Sequence, residues 1–261
     1  MDEMVRQADL LLVRHGTTPW NREKRYLGHT DIPLDPGGRD ELAPLARKLA
    51  GKVLSGVYCS DLARCRETLA IVSPAYADAA VYDPRLREMD FGAWEGHTYE
   101  QLQHEPLYRQ WIDSPQQVTP PGGESWKDFA GRIDGFIGNL LKDVEKVCSK
   151  TIGTAIGSGR LLSGSKGIEI GGVRPSGSKG SKDSEAVLSR SEGSEDTGPE
   201  LQALPEMLIV AHGGVLRQLA VSLVPGLSFW DVHVQPGSLR RIRLSFSEET
   251  GSWNGILVNE A

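Results

Sequence analysis

Two histidine residues stand where this chain could do chemistry on an anion. His15 follows the apolar run 10–13 through Arg14. His212 follows a second apolar run, 207–211, and a glycine comes directly after each histidine. Imidazole serves as a nucleophile or a proton carrier near neutral pH, and guanidinium binds phosphoryl oxygens in pairs. The repeated pattern favours a shared anion site over two unrelated structural histidines.

Parallel sheets bind ligands at the carboxyl ends of their strands, so both histidines are expected at one edge of a sheet. Arg64 is predicted to join them, because it lies early in a predicted helix, 61–72, directly after a predicted strand, 56–60. The segment after His212 reads as a helix. The backbone N–H groups of residues 213–215 are therefore expected to point at the anion.

These residues need a scaffold, and the periodicity of the chain predicts one. The predicted strands are 10–13, 56–60, 80–86, a strand before His212, and an edge strand at 238–246; the predicted helices are 39–49, kinked at Pro44, 61–72, 98–103, 125–147 and one after His212. Strands that alternate with helices predict an α/β fold with a mainly parallel sheet covered on both faces. Residues 1–147 and 207–261 are thus expected to form a single domain.

Residues 148–206 differ in composition from the rest. Glycine and serine make up more than a third of this segment, and it contains no aromatic residue. Such a sequence buries too little apolar surface to offset the entropy of ordering it. The segment is therefore predicted to be a disordered insertion, which a surface connection tolerates at low cost.

Charge and composition exclude several classes of protein. The formal net charge of −6 argues against a nucleic-acid surface, which needs an excess of Lys and Arg. No apolar run is long enough to cross a bilayer, and an acidic N-terminus argues against a signal peptide, so a cytoplasmic location is expected. The three cysteines have no metal-ligand spacing, and neither a metal nor another cofactor is predicted.

Four ordered motifs resemble the histidine phosphatase superfamily, also called the phosphoglycerate mutase-like family. They are RHG at 14–16, SDLARCRET at 60–68, LREMDFGAWEG at 86–96 and AHGG at 211–214. The resemblance covers residues 9–147 and 207–246. It implies a three-layer α/β/α sandwich, phosphoglycerate mutase-like, and a covalent phosphohistidine intermediate.

The resemblance also implies roles for single residues. His15 is the nucleophile, Glu88 is the proton donor, and the phosphate pocket is formed by Arg14, Arg64 and His212; further substrate-binding residues are Thr18, Asn21, Gly28 and Gly213. Glu88 needs an apolar wall to keep its proton, for which Phe91 and Trp94 are candidates, and Asp90 and Glu95 stay open as rival carboxylates.

The substrate is less well defined by these motifs. No long covering segment of the mutase kind follows the glutamate, which favours hydrolysis. The runs 91–102, 26–39 and 120–125 are most similar to the α-ribazole phosphatase branch, which implies a role in cobalamin biosynthesis. A broad-specificity or sugar-phosphate phosphatase and a non-catalytic phosphate-pocket scaffold are the alternatives. The expected partner is a small phosphorylated molecule, with neither nucleic acid nor membrane. The sequence leaves the oligomeric state open, with a homodimer as one option.

Overall fold

One mixed sheet organises the part of the chain that carries the candidate site. The computed structural model describes residues 6–158 and 203–258, with only the backbone of 151–158. Its strands are β1 Gln7–Arg14, β2 Gly56–Cys59, β3 Val81–Tyr82, β4 Glu206–Ala211, β5 Leu239–Ser247 and β6 Ser252–Val258. Their order is β3-β2-β4-β1-β5-β6. Strands β1 to β4 are parallel to one another, β5 pairs antiparallel with β1, and β6 pairs antiparallel with β5.

Helices occupy the connections between these strands. The longer ones are α3 Ala43–Leu49, α4 Ala63–Val72, α6 Pro106–Asp113, α7 Trp126–Ser158 and α8 Gly213–Leu223. Shorter helices are α1 Pro19–Arg22, α2 Pro36–Asp40 and α5 Tyr99–Leu102, and 3₁₀ turns occur at Pro74–Tyr76, Pro84–Leu86 and Gly92–Trp94.

Strand β1 shows why the sheet is covered on both faces. Leu10 and Leu12 pack into one apolar cluster with residues of α7 and α8, whereas Leu11 and Val13 pack into another with residues of α3 and α4. All four side chains are fully buried. A central strand of a parallel sheet is expected to be apolar on both faces, so the run of four apolar residues is explained. The predicted α/β/α sandwich is confirmed.

Several predicted boundaries were wrong. The helix predicted at 39–49 is two helices, because Pro44 lies in the first turn of α3, where its missing N–H costs nothing. The third strand is only Val81–Tyr82, since Pro84 begins a 3₁₀ turn. The predicted edge strand pairs on both sides, with β1 and with β6, and β6 was not predicted.

The predicted insertion, 148–206, is described only at its ends. Helix α7 passes its predicted end at residue 147 and continues to Ser158, and β4 begins at Glu206. Residues 159–202 lie outside the described residues, so their disorder stays a prediction. The chain divides into two compact units, 1–152 with 204–261, and 153–203. The first contains the whole sheet and all the predicted site residues; of the second, the structure describes the helical backbone of 153–158 and residue 203.

Within the described ranges, no helix has both the length and the apolar character needed to span a bilayer. The cytoplasmic location stays a prediction from the sequence.

Candidate active site

His15 follows β1 at its carboxyl end, with only 3% of its surface exposed. Its backbone N–H donates to the carbonyl oxygen of Ala211 on β4, at 3.0 Å, so strand pairing fixes its position. Its Nδ1 lies 2.7 Å from the carbonyl oxygen of Gly16. Because a carbonyl can only accept, Nδ1 carries the proton and the lone pair lies on Nε2. The predicted backbone hydrogen bond that selects the tautomer is therefore confirmed.

The charge state of His15 also suits a nucleophile. Burial lowers its pKa well below the ordinary value, and the nearby positive charges of Arg64 and Arg14 lower it further. The ring is thus neutral at neutral pH, with Nε2 free to attack an electrophile.

His212 lies beside His15, as the two motifs predict. The ring centroids are 5.1 Å apart, with the planes at 61°. Arg64 Nε donates to Nδ1 of His212 at 3.2 Å, and Nε2 lies 2.9 Å from the hydroxyl of Ser60. A guanidinium can only donate, so Nε2 carries the proton and donates it to Ser60. A phosphoryl oxygen that binds His212 would compete with Ser60 for this proton.

Arg64 is completely buried in the first turn of α4. Besides its bond to His212, it donates to the carbonyl oxygens of Gly28 at 2.7 Å and Thr30 at 3.0 Å. These three bonds fix the plane of the guanidinium. One N–H on each terminal nitrogen is left over from this set, because arginine has five. The position of Arg64 at the rim is thus set by backbone groups of the 28–30 loop.

Arg14 lies against the start of α8. It donates to the carbonyl oxygen of Val234 at 2.7 Å, and its buried Nε has no partner among the described residues. A Cβ atom on Gly213 would lie 3.3 Å from the Arg14 guanidinium carbon, so glycine permits this close packing. In the described part of the chain, no salt bridge involves Arg14 or Arg64. The pocket therefore has an excess of positive charge, which favours an anion.

Glu88 reaches the N-terminus of α8 from the segment after β3. Its Oε2 accepts from the backbone N–H of Gly214 at 2.9 Å, and its Oε1 accepts from Met89 N at 3.0 Å. The predicted anion-binding N–H group of Gly214 is thus bonded to the carboxylate of Glu88. The arrangement places a carboxyl group close enough to interact with the charges of Arg14 and Arg64.

The two candidates for an apolar wall around Glu88 have different positions. Phe91 lines the same cavity as Glu88. Trp94 is buried behind that lining, with its ring centroid 5.3 Å from that of Tyr108 and 5.4 Å from that of Trp111. A direct contact of Trp94 with Glu88 stays a prediction.

The remaining predicted substrate-binding residues have structural partners. Thr18 caps α1: its hydroxyl accepts from Asn21 N at 3.2 Å and donates to Asn21 Oδ1 at 3.0 Å. None of the hydrogen bonds of the described residues joins Asn21 to the histidines or arginines. Gly28 holds Arg64 through its carbonyl, and a Cβ there would lie 2.3 Å from Glu95 Oε1. Direct substrate binding by these three residues stays a prediction.

The rival carboxylates have other roles. Glu95 accepts from the backbone N–H groups of His29 and Thr30, both at 2.7 Å, and of Phe91 at 3.2 Å. Burial opposes its charged form, but these hydrogen bonds and the Thr30 hydroxyl outweigh burial and lower the pKa of Glu95. A carboxylate held in its charged form is a poor proton donor. Asp90 caps a turn, accepting from Gly92 N at 2.8 Å.

Three supporting residues were not identified from the sequence. Ser60 bonds to His212, as described above. Thr68 accepts from Gly16 N at 3.0 Å and donates to Arg64 O at 2.7 Å, so it ties the two halves of the pocket together. Arg132 donates to the carbonyl oxygen of Glu88 at 2.9 Å. Of these three, Ser60 could have been found from the sequence, since it directly follows a strand at the same edge of the sheet as the two histidines.

At one edge of the parallel strands, a neutral histidine with a fixed tautomer lies beside a second histidine, one buried arginine and one half-buried arginine, an arrangement that suits an anion. The chain belongs to the histidine phosphatase superfamily (branch 1), whose family model matches residues 10–151.

Named relatives and solved structures are similar to this chain in sequence or in fold. The chain is 32% identical over 133 residues to the "Probable phosphoglycerate mutase GpmB" of Salmonella choleraesuis, a match that spans 50% of this chain and 62% of that relative. The match thus spans less than two thirds of the relative's length. The fold is similar to the alpha-ribazole phosphatase from Shigella flexneri, with a TM-score of 0.64, 22% identity and coverage of 97% and 96% of the two chains. It is similar also to YhfR of Bacillus stearothermophilus, with a TM-score of 0.61, 22% identity and coverage of 97% and 98%.

Proposed function

We propose that this chain is a metal-independent phosphomonoesterase that works through a phosphohistidine intermediate on His15. The observation that carries the proposal is the geometry of His15, which is neutral, has Nε2 free and faces His212 across 5.1 Å. The guanidiniums of Arg14 and Arg64, which form no salt bridge among the described residues, supply the positive charge that phosphoryl transfer requires. Arginines can neutralise the equatorial oxygens in the place of a divalent cation.

The reaction has two steps. In the first, Nε2 of His15 attacks phosphorus, the phosphorus–ester oxygen bond breaks, and Glu88 donates a proton to the leaving alkoxide. In the second, the Glu88 carboxylate takes a proton from water, the resulting hydroxide attacks the phosphohistidine, and inorganic phosphate leaves. Each group returns to its starting state, and the general acid contributes about 10² to 10⁴ in rate.

For the substrate, we propose α-ribazole 5′-phosphate, an intermediate of cobalamin biosynthesis. The similarity of the 91–102 and 26–39 runs to that branch supports this choice, and the fold resembles the Shigella enzyme of that name. A broad-specificity or sugar-phosphate phosphatase is the alternative. Because one relative is named "Probable phosphoglycerate mutase GpmB", mutase activity must be weighed against hydrolysis. The sequence directly after Glu88, at 89–125, contains no long covering segment, and this favours hydrolysis by water.

The test is hydrolysis of p-nitrophenyl phosphate in excess EDTA, followed by acid-quench detection of phosphohistidine. Wild type is expected to turn over, His15→Ala to lose activity by more than 10³-fold, and the exposed-histidine control His104→Ala to keep it. The kcat/KM values are then compared for α-ribazole phosphate, sugar phosphates and 3-phosphoglycerate, and this comparison ranks the substrates. A lack of turnover on every phosphomonoester from pH 5 to 8 would favour the non-catalytic scaffold.

A further inference from the structure

A cavity of about 350 Å³ opens from the catalytic groups toward solvent. Glu88 and Gly214 lie in its lining, so it is continuous with the candidate active site. Its other walls come from α6, from the start of α7 and from the loop after α8. The aromatic lining residues from these three elements are Trp111, Trp126, Phe129, Phe229 and Trp230.

The aromatic side chains of the cavity already contact one another. The ring centroids of Trp126 and Phe229 are 5.0 Å apart with the planes at 67°, and those of Phe229 and Trp230 are 5.0 Å apart at 82°. Such edge-to-face contacts hold a pocket in shape before a ligand arrives. Trp230 is 63% exposed all the same, so a large apolar surface stands open to water at this cavity.

The lining contains few polar groups, and among them the buried Nε1 of Trp111 has no hydrogen-bond partner within the described residues. The Tyr26 hydroxyl lies 2.7 Å from that of Tyr108. Arg217 donates through Nε to the carbonyl oxygen of Val232 at 3.0 Å, and its guanidinium lies 5.9 Å from the Trp230 ring centroid. A sugar with several hydroxyls would lose its water contacts here with little compensation. An aromatic or apolar group would gain from the same burial.

We propose that this cavity holds the alcohol part of the substrate, and that this part carries an aromatic or bulky apolar group. The inference rests on the proposed function, in which Glu88 protonates the leaving oxygen, because the alcohol must then extend from the Glu88 side of the pocket. The cavity volume is within the range of small-molecule sites, roughly 300–1,000 Å³. The pocket thus favours phosphomonoesters whose alcohol part carries an aromatic group, as α-ribazole does, over sugar phosphates that lack one.

The experiment compares 2-phenylethyl phosphate with ethyl phosphate, both esters of primary alcohols, so that the leaving-group chemistry is matched. Ribose 5-phosphate serves as the bulky polar control. The wild-type kcat/KM is expected to be at least about tenfold higher for the phenylethyl ester than for the other two, because pocket contacts of even one methylene discriminate by about 10-fold or more.

Pocket variants test where this preference comes from. Trp230→Ala is expected to lower the phenylethyl-to-ethyl ratio of kcat/KM about fivefold, and Trp230→Phe to retain most of it. Ile112→Glu, at a lining position that is 40% exposed, places a charge in the cavity and is expected to abolish the preference. Ile256→Ala, at an exposed apolar position on β6 outside the lining, is the matched control and is expected to leave the ratio unchanged.

The outcomes separate the two proposals. Equal or reversed wild-type ratios, or ratios that the pocket variants leave unchanged, overturn the pocket assignment while hydrolysis stands. Absence of turnover on all three esters overturns the proposed function. In that case, calorimetric binding of 2-phenylethylphosphonate and ethylphosphonate to the wild-type chain tests the pocket directly, and equal affinities overturn it.

Discussion

The buried pair His15 and His212 is expected to make the protein less stable in mild acid. Burial first, and then the positive charge of Arg64, lower both pKa values well below that of a free imidazole. In the unfolded chain each histidine titrates near its ordinary pKa of about 6.5. Below that pH the unfolded state binds protons that the folded state does not. The free energy of unfolding must therefore decrease as the pH falls.

The size of the effect follows from linkage. A histidine that stays neutral in the fold lowers the free energy of unfolding by about 1.4 kcal/mol when the pH falls from 7.5 to 5.5, if its pKa in the unfolded chain is about 6.5. Two such residues give about 3 kcal/mol. This is a large fraction of the roughly 5–15 kcal/mol that stabilises a typical domain. The carboxylates whose pKa values are lowered contribute mostly below this window, because their unfolded pKa values are near 4.

Urea unfolding at pH 7.5 and 5.5 measures this difference. The buffers must lack phosphate, because an anion bound to the native state would add stability of its own. His15→Asn and His212→Asn are each expected to remove about half of the pH dependence. His104→Asn, which changes an exposed histidine, is the matched control and should keep all of it.

The reasoning would be refuted by a wild-type difference below about 1 kcal/mol over this range. It would equally be refuted if His15→Asn and His104→Asn behaved alike. Either result would mean that the His15 ring takes up a proton inside the folded protein, in which case it is not the neutral nucleophile of the proposed mechanism.

Three further perturbations follow from the site. Gly214→Ala places a Cβ 2.4 Å from Glu88 Oε1, so Glu88 must move, and kcat on an alkyl phosphate should fall about 100-fold but much less on p-nitrophenyl phosphate, whose leaving group needs no proton. Gly138→Ala, on α7 with open space around it, is the control and should leave steady-state kinetics unchanged. Ser60→Ala leaves the His212 Nε2 proton without its hydroxyl acceptor and should destabilise the fold by about 1–3 kcal/mol in urea titration. Inorganic phosphate should raise the melting temperature in proportion to the logarithm of its concentration above Kd, and a flat response would contradict an anion pocket.

The sheet and its histidine edge could be predicted because the signals are local. The apolar runs at 10–13 and 207–211 determine two strands, and parallel pairing then places whatever follows them at one rim. The meeting of His15 and His212 needed no information about side-chain packing. Arg64 was predictable for the same reason, since it lies just past a strand that pairs with β4.

Other features could not be predicted, because they depend on contacts between distant segments. Glu95 is an ordinary charged residue in the sequence, and only the fold places it under the loop whose carbonyls hold Arg64. Trp94 and Trp111 are equivalent by residue type and pack in one aromatic cluster, yet Trp111 lines the open cavity and Trp94 does not. Strand β6 lacks regular alternation, and its pairing with β5 decides its conformation.

The sheet order has a consequence for synthesis of the protein. Strand β4 inserts between β1 and β2, although it comes last of the three along the chain. A nascent chain that ends before residue 206 therefore has two apolar strands with a gap between them and unpaired edges that can pair with other chains. The ribosome must release most of the polypeptide before the sheet can close. No translation fragment lacking β4 could then assemble the histidine pair, so truncated products would be inert toward phosphate esters and prone to aggregate.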